Sequence, residues 1–185
     1  MPKETYVPLL LQLFRQYGYD GATLSKISEA TGLGKASLYH HFSGGKDEMV
    51  EAVLDYLEGW LNQNILQPLA SSEDATVRLQ RMCARLSELY EEGHQPCLFA
   101  ILLMGSARDV FHERVKALFC VWIEAITAVL VEAGMDEELA RQRGEDGALA
   151  IQGALILSQA LDDPSLFQRV MQQLPTQLCP ETKET

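Results

Sequence analysis

Apolar residues return every three or four positions along almost the whole of this chain, and strand-like alternation is nearly absent. The period predicts an all-α protein of about nine helices. The first spans about Thr5 to Tyr17. Pro8 falls in its first turn, where a missing N–H costs little, and Leu9, Leu10, Leu13, Phe14 and Tyr17 form its apolar face. Gly18 is placed to cap it, and Asp20-Gly21 turns the chain. Thr23 is a good N-cap for a second helix, Leu24 to Thr31, expected to bury Leu24, Ile27 and Ala30. Gly32 ends that helix and Leu33 tucks inward. A third, short helix from Lys35 to His41 is pinned to the others by Leu38 and Phe42, one turn apart.

Longer helices follow. The pattern places them at about Lys46 to Leu66, Ala75 to Glu92, Cys97 to Ala107, Val110 to Ala133 and Asp136 to Leu161, with a last one from Pro164. The second half of the helix ending at Leu161, GALAIQGALILSQAL, is apolar nearly all round, so it must be covered on more than one face. The final helix is expected to pack Leu166, Phe167, Val170, Met171 and Leu174, and the tail from Pro175 to be polar and loose. Glu88, Glu91 and Glu92 read as a solvated helix face. The domain division this suggests is a three-helix head over 1–47, a larger helical domain over 48–175 and a polar tail over 176–185.

The stretch TLSKISEATGLGKASLYHHFSGGK, residues 23–46, is what points to a partner. A helix, a glycine turn and a short second helix form the layout of a DNA-reading helix-turn-helix. With Leu38 and Phe42 inward, Lys35, Ala36, Ser37, Tyr39 and His40 are turned toward a major groove. Lys35 can donate to guanine or to phosphate, Ser37 can bond a base edge or phosphate, and Ala36 can meet a thymine methyl. Tyr39 and His40 suit phosphate or groove-edge contacts. Thr23 and Lys46, each at a helix N-terminus, can hold a phosphate. The competing reading is an all-α small-molecule-binding protein or enzyme in which this is only a tight helical corner.

Net charge is −11, which at first argues against nucleic acid, but its distribution changes the reading. Residues 1–47 carry five cations and four anions; the remainder carries ten cations and 22 anions. The head is weakly positive and the acidity belongs to the larger part. The four cysteines, Cys83, Cys97, Cys120 and Cys179, show no metal-ligand spacing and are expected to be reduced thiols, three of them in apolar helical runs. The histidines form no pair suited to a metal. No nucleophile-elbow, P-loop or dinucleotide-binding signature is present, so neither an enzyme nor a cofactor is expected. No apolar run reaches the ~18 residues of a membrane span and no leader opens the chain, so the expected location is cytoplasmic.

Residues 9–56 closely resemble the DNA-binding domain of the TetR/AcrR family of bacterial regulators. The likeness is carried by LLQLFRQYGYDGATLSKISEATGLGKASLYHHF and KDEMVEAVLDY, with the opening at Gly18 to Thr23, the I-x-x-x-x-G turn at Ile27 to Gly32 and the K-x-x-L-Y-x-H-F helix at Lys35 to Phe42. The link Ser43-Gly44-Gly45-Lys46 looks one residue longer than the family's usual one. The resemblance implies a ligand-responsive regulator, typically a repressor released from a pseudo-palindromic double-stranded operator by a small molecule. It also implies a homodimer built from the last two helices. Here the candidate interface residues are Gly147, Ile151, Ala154, Leu155, Ser158, Phe167 and Val170, and the all-round apolar helix agrees with pairing. Candidate lining residues for the effector are Trp60, Tyr90, Phe99, Met104, Phe119 and Trp122, each also suited to plain core. Without a basic cluster in the larger domain, an apolar or cationic effector is expected.

Overall fold

The computed structural model describes residues 2–179, and these are helical with no strand among them. The nine α-helices of five or more residues among them are α1 (Val7–Gly21), α2 (Leu24–Thr31), α3 (Lys35–His41), α4 (Gly45–Leu61), α5 (Ala75–Leu89), α6 (Leu98–Leu102), α7 (Ala107–Glu132), α8 (Glu137–Leu161) and α9 (Ser165–Leu178). The described residues fall into two compact units. One holds the chain up to Trp60 together with Leu98–Val115; the other holds Leu61–Cys97 and the chain from Lys116 onward.

In the first unit a 3₁₀ turn, Lys3–Tyr6, leads into α1, whose buried face is Val7, Leu10, Leu11, Leu13 and Phe14. Leu9 and Tyr17, expected on that face, are exposed. Tyr17 instead lies under the Lys26 ammonium, 3.5 Å from the ring centroid. Gly18 breaks α1 where the cap was expected. Its φ of +66° is open to glycine and strained for other residues, and one more short turn follows to Gly21. α4 contributes Met49, Val50, Val53, Leu54 and Leu57 to the core. Its outer side carries Glu51, Asp55 and Glu58, all paired with the guanidinium of Arg114 on α7.

The second unit is built on α5, the later part of α7, α8 and α9. Its core includes Leu79, Met82 and Leu86 of α5, Trp122, Ile126 and Val129 of α7, Ile151 and Leu155 of α8, and Phe167, Met171 and Leu174 of α9. Asp74 and Asp136 cap α5 and α8 by accepting from backbone N–H groups of their first turns. The buried Arg78 ties the turn after Leu69 to α7: its Nη1 donates to the Leu69 and Ser71 carbonyls at 2.9 and 3.0 Å and to Glu132 at 2.7 Å.

Several boundaries differ from the sequence pattern. α4 is followed by a π-helical stretch, Asn62–Leu66, ahead of Pro68. α5 stops at Leu89, because Glu91, Glu92 and Gly93 all take positive φ; Glu91 and Glu92 therefore lie on a turn and not on a helix face. The apolar run from Cys97 is helical only over Leu98–Leu102, and α7 begins early, at Ala107, after Gly105 leaves the helical region. α9 continues through Pro175 to Leu178, whose buried side chain lies against Gly147; a Cβ at Gly147 would stand 3.2 Å from Leu178 Cδ1. The expectation of a loose tail from Pro175 is corrected up to that point, and residues 180–185 lie outside the described residues.

The candidate interface residues on α8 and α9 are mostly occupied by packing within the chain itself. Gly147, Ile151, Ala154, Leu155, Ser158 and Phe167 are buried, and Val170 is half-buried. The Ser158 hydroxyl accepts from the Phe167 N–H at 3.2 Å, fixing the start of α9 on α8. The side of α8 left open carries Leu149, Ile156, Leu157 and Leu161, between 52% and 70% exposed.

Candidate nucleic-acid interface

Three residue types set the angle between α2 and α3. Thr23 caps α2, its Oγ1 accepting from the Lys26 N–H at 3.4 Å. At the other end Thr31 Oγ1 donates to the Ile27 carbonyl at 2.7 Å and accepts from the Leu33 N–H at 3.3 Å. Ser28 Oγ donates to the Leu33 carbonyl at 2.5 Å. Gly32 closes α2 in the left-handed conformation, and Gly34 starts α3 without a side-chain cap. The turn is thereby held by side chains of α2 itself, with Ile27, Leu38 and Phe42 fully buried beneath it.

That packing orients α3. Lys35, Ala36, Ser37, Tyr39 and His40 are all exposed, on the faces away from Leu38. His41 is half-buried against the Tyr6 ring, with centroids 5.3 Å apart, and steadies the end of α3. Ala30, expected in the core, is exposed. Beside α3 a groove of about 530 Å³ runs over Ser25, Ser28, Glu29, Gly32, Leu33 and Lys35. Ser25 and Glu29 were not singled out by the sequence; only the path of the turn brings them to this surface.

Lys46 is placed differently from the other candidates. Its Nζ donates to the Tyr19 carbonyl at 2.8 Å and lies 4.1 Å from the Tyr19 ring centroid, so its ammonium is turned to its own chain. The Tyr19 hydroxyl donates to Asp47. Burial first, and then the neighbouring Asp47 carboxylate, push the Tyr19 hydroxyl up to about 12. At the long link before α4, Glu48 accepts from the Gly44 N–H at 2.8 Å, and Ser43 and Lys3 also reach it. Those donors, the Gly44 N–H foremost, hold its carboxyl below the usual carboxylate range.

The six effector candidates do not share one setting. Tyr90 is buried, its hydroxyl donating to Cys97 Sγ at 3.4 Å and its ring edge-on to Phe167. Trp122 is buried and donates to Met82 Sδ at 3.4 Å, with the half-buried Phe119 ring 6.3 Å away. Trp60 and Phe99 are half-buried, and Met104 is 70% exposed.

A short outward helix on a side-chain-locked glycine turn defines a helix-turn-helix protein. Residues 10–53 match the model of bacterial regulatory proteins of the tetR family, and residues 75–173 match that of the LmrA/YxaF-like transcriptional regulator C-terminal domain. The chain belongs to the TetR family of transcriptional regulators, in its LmrA/YxaF-like group. It is 25% identical to the HTH-type transcriptional regulator YxaF of Bacillus subtilis (strain 168) over 168 residues, 89% of this chain and 88% of YxaF. A shorter match, 37% identical over 67 residues, joins it to IcaR of Staphylococcus aureus (strain Newman), an HTH-type negative transcriptional regulator of the biofilm operon icaADBC; it covers 34% of this chain and 36% of IcaR. The crystal structure of a TetR transcriptional regulator from Legionella pneumophila shares the fold, with a TM-score of 0.79 at 20% identity over 92% of this chain and 94% of that one. Among the described residues no helix is long and apolar enough to cross a membrane.

Proposed function

We propose that this regulator is a repressor which, as a homodimer, binds a pseudo-palindromic operator through α3 and releases it when a small molecule binds the larger domain. In this reading 1–47 is the DNA-binding domain and 48–175 the effector-binding and dimerisation domain. The observation that carries the reading is the outward face of α3, with Lys35, Ser37, Tyr39 and His40 exposed above a fully buried Leu38. Lys35 and Ser37 read or hold bases, and Tyr39 and His40 hold the backbone. Thr23 lies at the start of α2 with its hydroxyl oxygen already capping the helix; its O–H remains a donor for phosphate. Lys46 acts mainly by holding α4 to Tyr19. Repression is supported by the likeness to IcaR, a negative regulator.

The exposed stripe Leu149, Ile156, Leu157 and Leu161 supports a partner on α8, since large apolar side chains gathered on one helix face mark an association surface. A second copy would meet this stripe, with Gly153 allowing close approach. A cationic effector is favoured over a neutral one by a groove of about 800 Å³ between α7 and α8, where Ile123 and Val131 lie beside Glu124, Glu132, Glu137 and Glu145, with Arg141 as the opposing cation. Thermal-shift measurements with a lipophilic cation and its neutral isostere test that preference; equal shifts contradict it.

The DNA reading is tested by anisotropy titration on a duplex that the wild-type protein selects from a random-sequence pool. Lys35→Ala with Tyr39→Ala is expected to remove selective binding while the circular dichroism melt stays unchanged. Undiminished binding by the double variant would exclude α3 as the reading element.

A further inference from the structure

The residues just after the break in α1 are gripped from two sides. Beyond Gly18 the chain makes one turn, Tyr19 to Gly21, and then starts α2 at Leu24. Between them Ala22 is fully buried and Thr23 caps α2, so the place of Asp20 sets where α2 begins, and α3 after it. From one side α4 holds Tyr19, through the Lys46 ammonium on its carbonyl and Asp47 on its hydroxyl. From the other side the corner between α6 and α7 holds Asp20. The Ser106 N–H donates to Asp20 Oδ2 at 3.2 Å and the Ser106 hydroxyl donates to Oδ1. The Phe111 ring, one turn into α7, stands edge-on to Tyr19 with centroids 5.8 Å apart.

Gly105 makes that grip possible. Its φ is +59°, and a Cβ there would stand 2.5 Å from Asp20 Oδ2. Any other residue would strain the turn and drive the carboxylate off Ser106. Two charge-assisted bonds to one carboxylate fix its direction as well as its distance, which one bond to an exposed side chain would not do. The helix-turn-helix itself needs none of this, since its turn is locked by Ser28, Thr31 and Leu33. The second anchor therefore holds the head as a whole.

We infer that Tyr19 and Asp20 are positioning residues for DNA recognition: the Asp20–Ser106 bond pair anchors the α1–α2 junction to the corner ahead of α7 and presets the pose of α3. Asp20 touches no DNA in this account. Holding the head before it meets DNA lowers the ordering cost of binding, so weakening the anchor weakens binding. A movement of the start of α7 reaches the head at this point, which adds a named link to the effector response proposed above.

The sign of one variant separates this from simple electrostatics. Asp20→Ala removes a negative charge from the head, which by charge alone would tighten binding to DNA. The anchor predicts the opposite. On the duplex selected by wild-type protein, Asp20→Ala, Ser106→Ala and Gly105→Ala are each expected to weaken binding by roughly five- to tenfold, in the range of a lost bond to a charged group. Asp20→Asn keeps an acceptor for the Ser106 N–H and stays within about twofold of wild type. The slope of log affinity against log salt stays unchanged in all four, because no phosphate contact is lost. Affinities are referred to the folded fraction from the melt of each variant. Asp20→Ala binding as well as or better than wild type overturns the inference. So does a loss explained wholly by unfolding, or a reduced salt slope, which would make the corner a direct DNA contact. A wild-type protein that selects no duplex sinks the DNA reading itself; selective wild-type binding with unaffected variants sinks only the anchor.

Discussion

Leu38 and Phe42 decide which side of α3 faces outward. Both are fully buried, Leu38 within the seven-residue helix and Phe42 directly after it, and nothing else in α3 is buried. Leu38→Ala removes the central contact and is expected to cost about 2–5 kcal/mol, the range for a truncated core leucine. The thermal midpoint should fall accordingly, while the residual folded protein still selects the same duplex. Lys35→Ala makes the contrasting prediction: an unchanged midpoint with binding weakened by about 1–3 kcal/mol. The inward pair was legible in the sequence because apolar spacing on a short helix leaves it no other role. The ammonium of Lys46 turned onto Tyr19 was not, since that contact joins residues 27 positions apart. The cysteines differ in the same way. Burial pushes the Cys83 thiol up to about 12, whereas Cys120 is exposed. Alkylation of the native protein is expected to label Cys120 rapidly and to spare Cys83 until unfolding, as peptide mass mapping would show.

Helix existence and type followed from the 3.6 period, while helix ends were set by features the period does not carry. α5 ends where Glu91 and Glu92 take positive φ, and α9 runs through Pro175 because Leu178 still has Gly147 to pack on. The same limit applies to faces. The second half of α8 reads as apolar all round, and only the packing of α9 shows that Ile151, Leu155 and Ser158 point inward while Ile156 and Leu157 point out. α4 offers a test at this scale. Glu51, Asp55 and Glu58 follow one another along one face and share Arg114, with Asp55 at 2.5 Å and Glu58 at 3.0 Å. Arg114→Ala leaves three like charges facing each other. The thermal midpoint is expected to drop most at low salt and to recover in part as salt screens the repulsion. A deficit independent of salt would mean that the arginine acts by packing alone.

For the whole molecule the account joins a weakly basic head to an acidic remainder and needs two copies. In this account the acidic body limits indiscriminate attraction to DNA, and specificity is expected to rest on base contacts made twice from a symmetric pair. Ile156→Glu with Leu157→Glu puts two charges into the open stripe of α8 without entering the subunit core. Sedimentation is expected to show wild-type dimers and variant monomers, and the variant is expected to lose selective binding although α3 is intact. The apolar excess of α8 was legible in the sequence; which of its side chains stay open was not, since that depends on the packing of α9.

The account rests on α3 reading DNA from two symmetry-related subunits. Hydroxyl-radical footprinting of the selected duplex tests this most directly. The prediction is two equivalent protected half-sites related by a dyad, both lost together in Lys35→Ala with Tyr39→Ala and in Ile156→Glu with Leu157→Glu. A single unsymmetric footprint, or protection that survives the α3 substitutions, would contradict it.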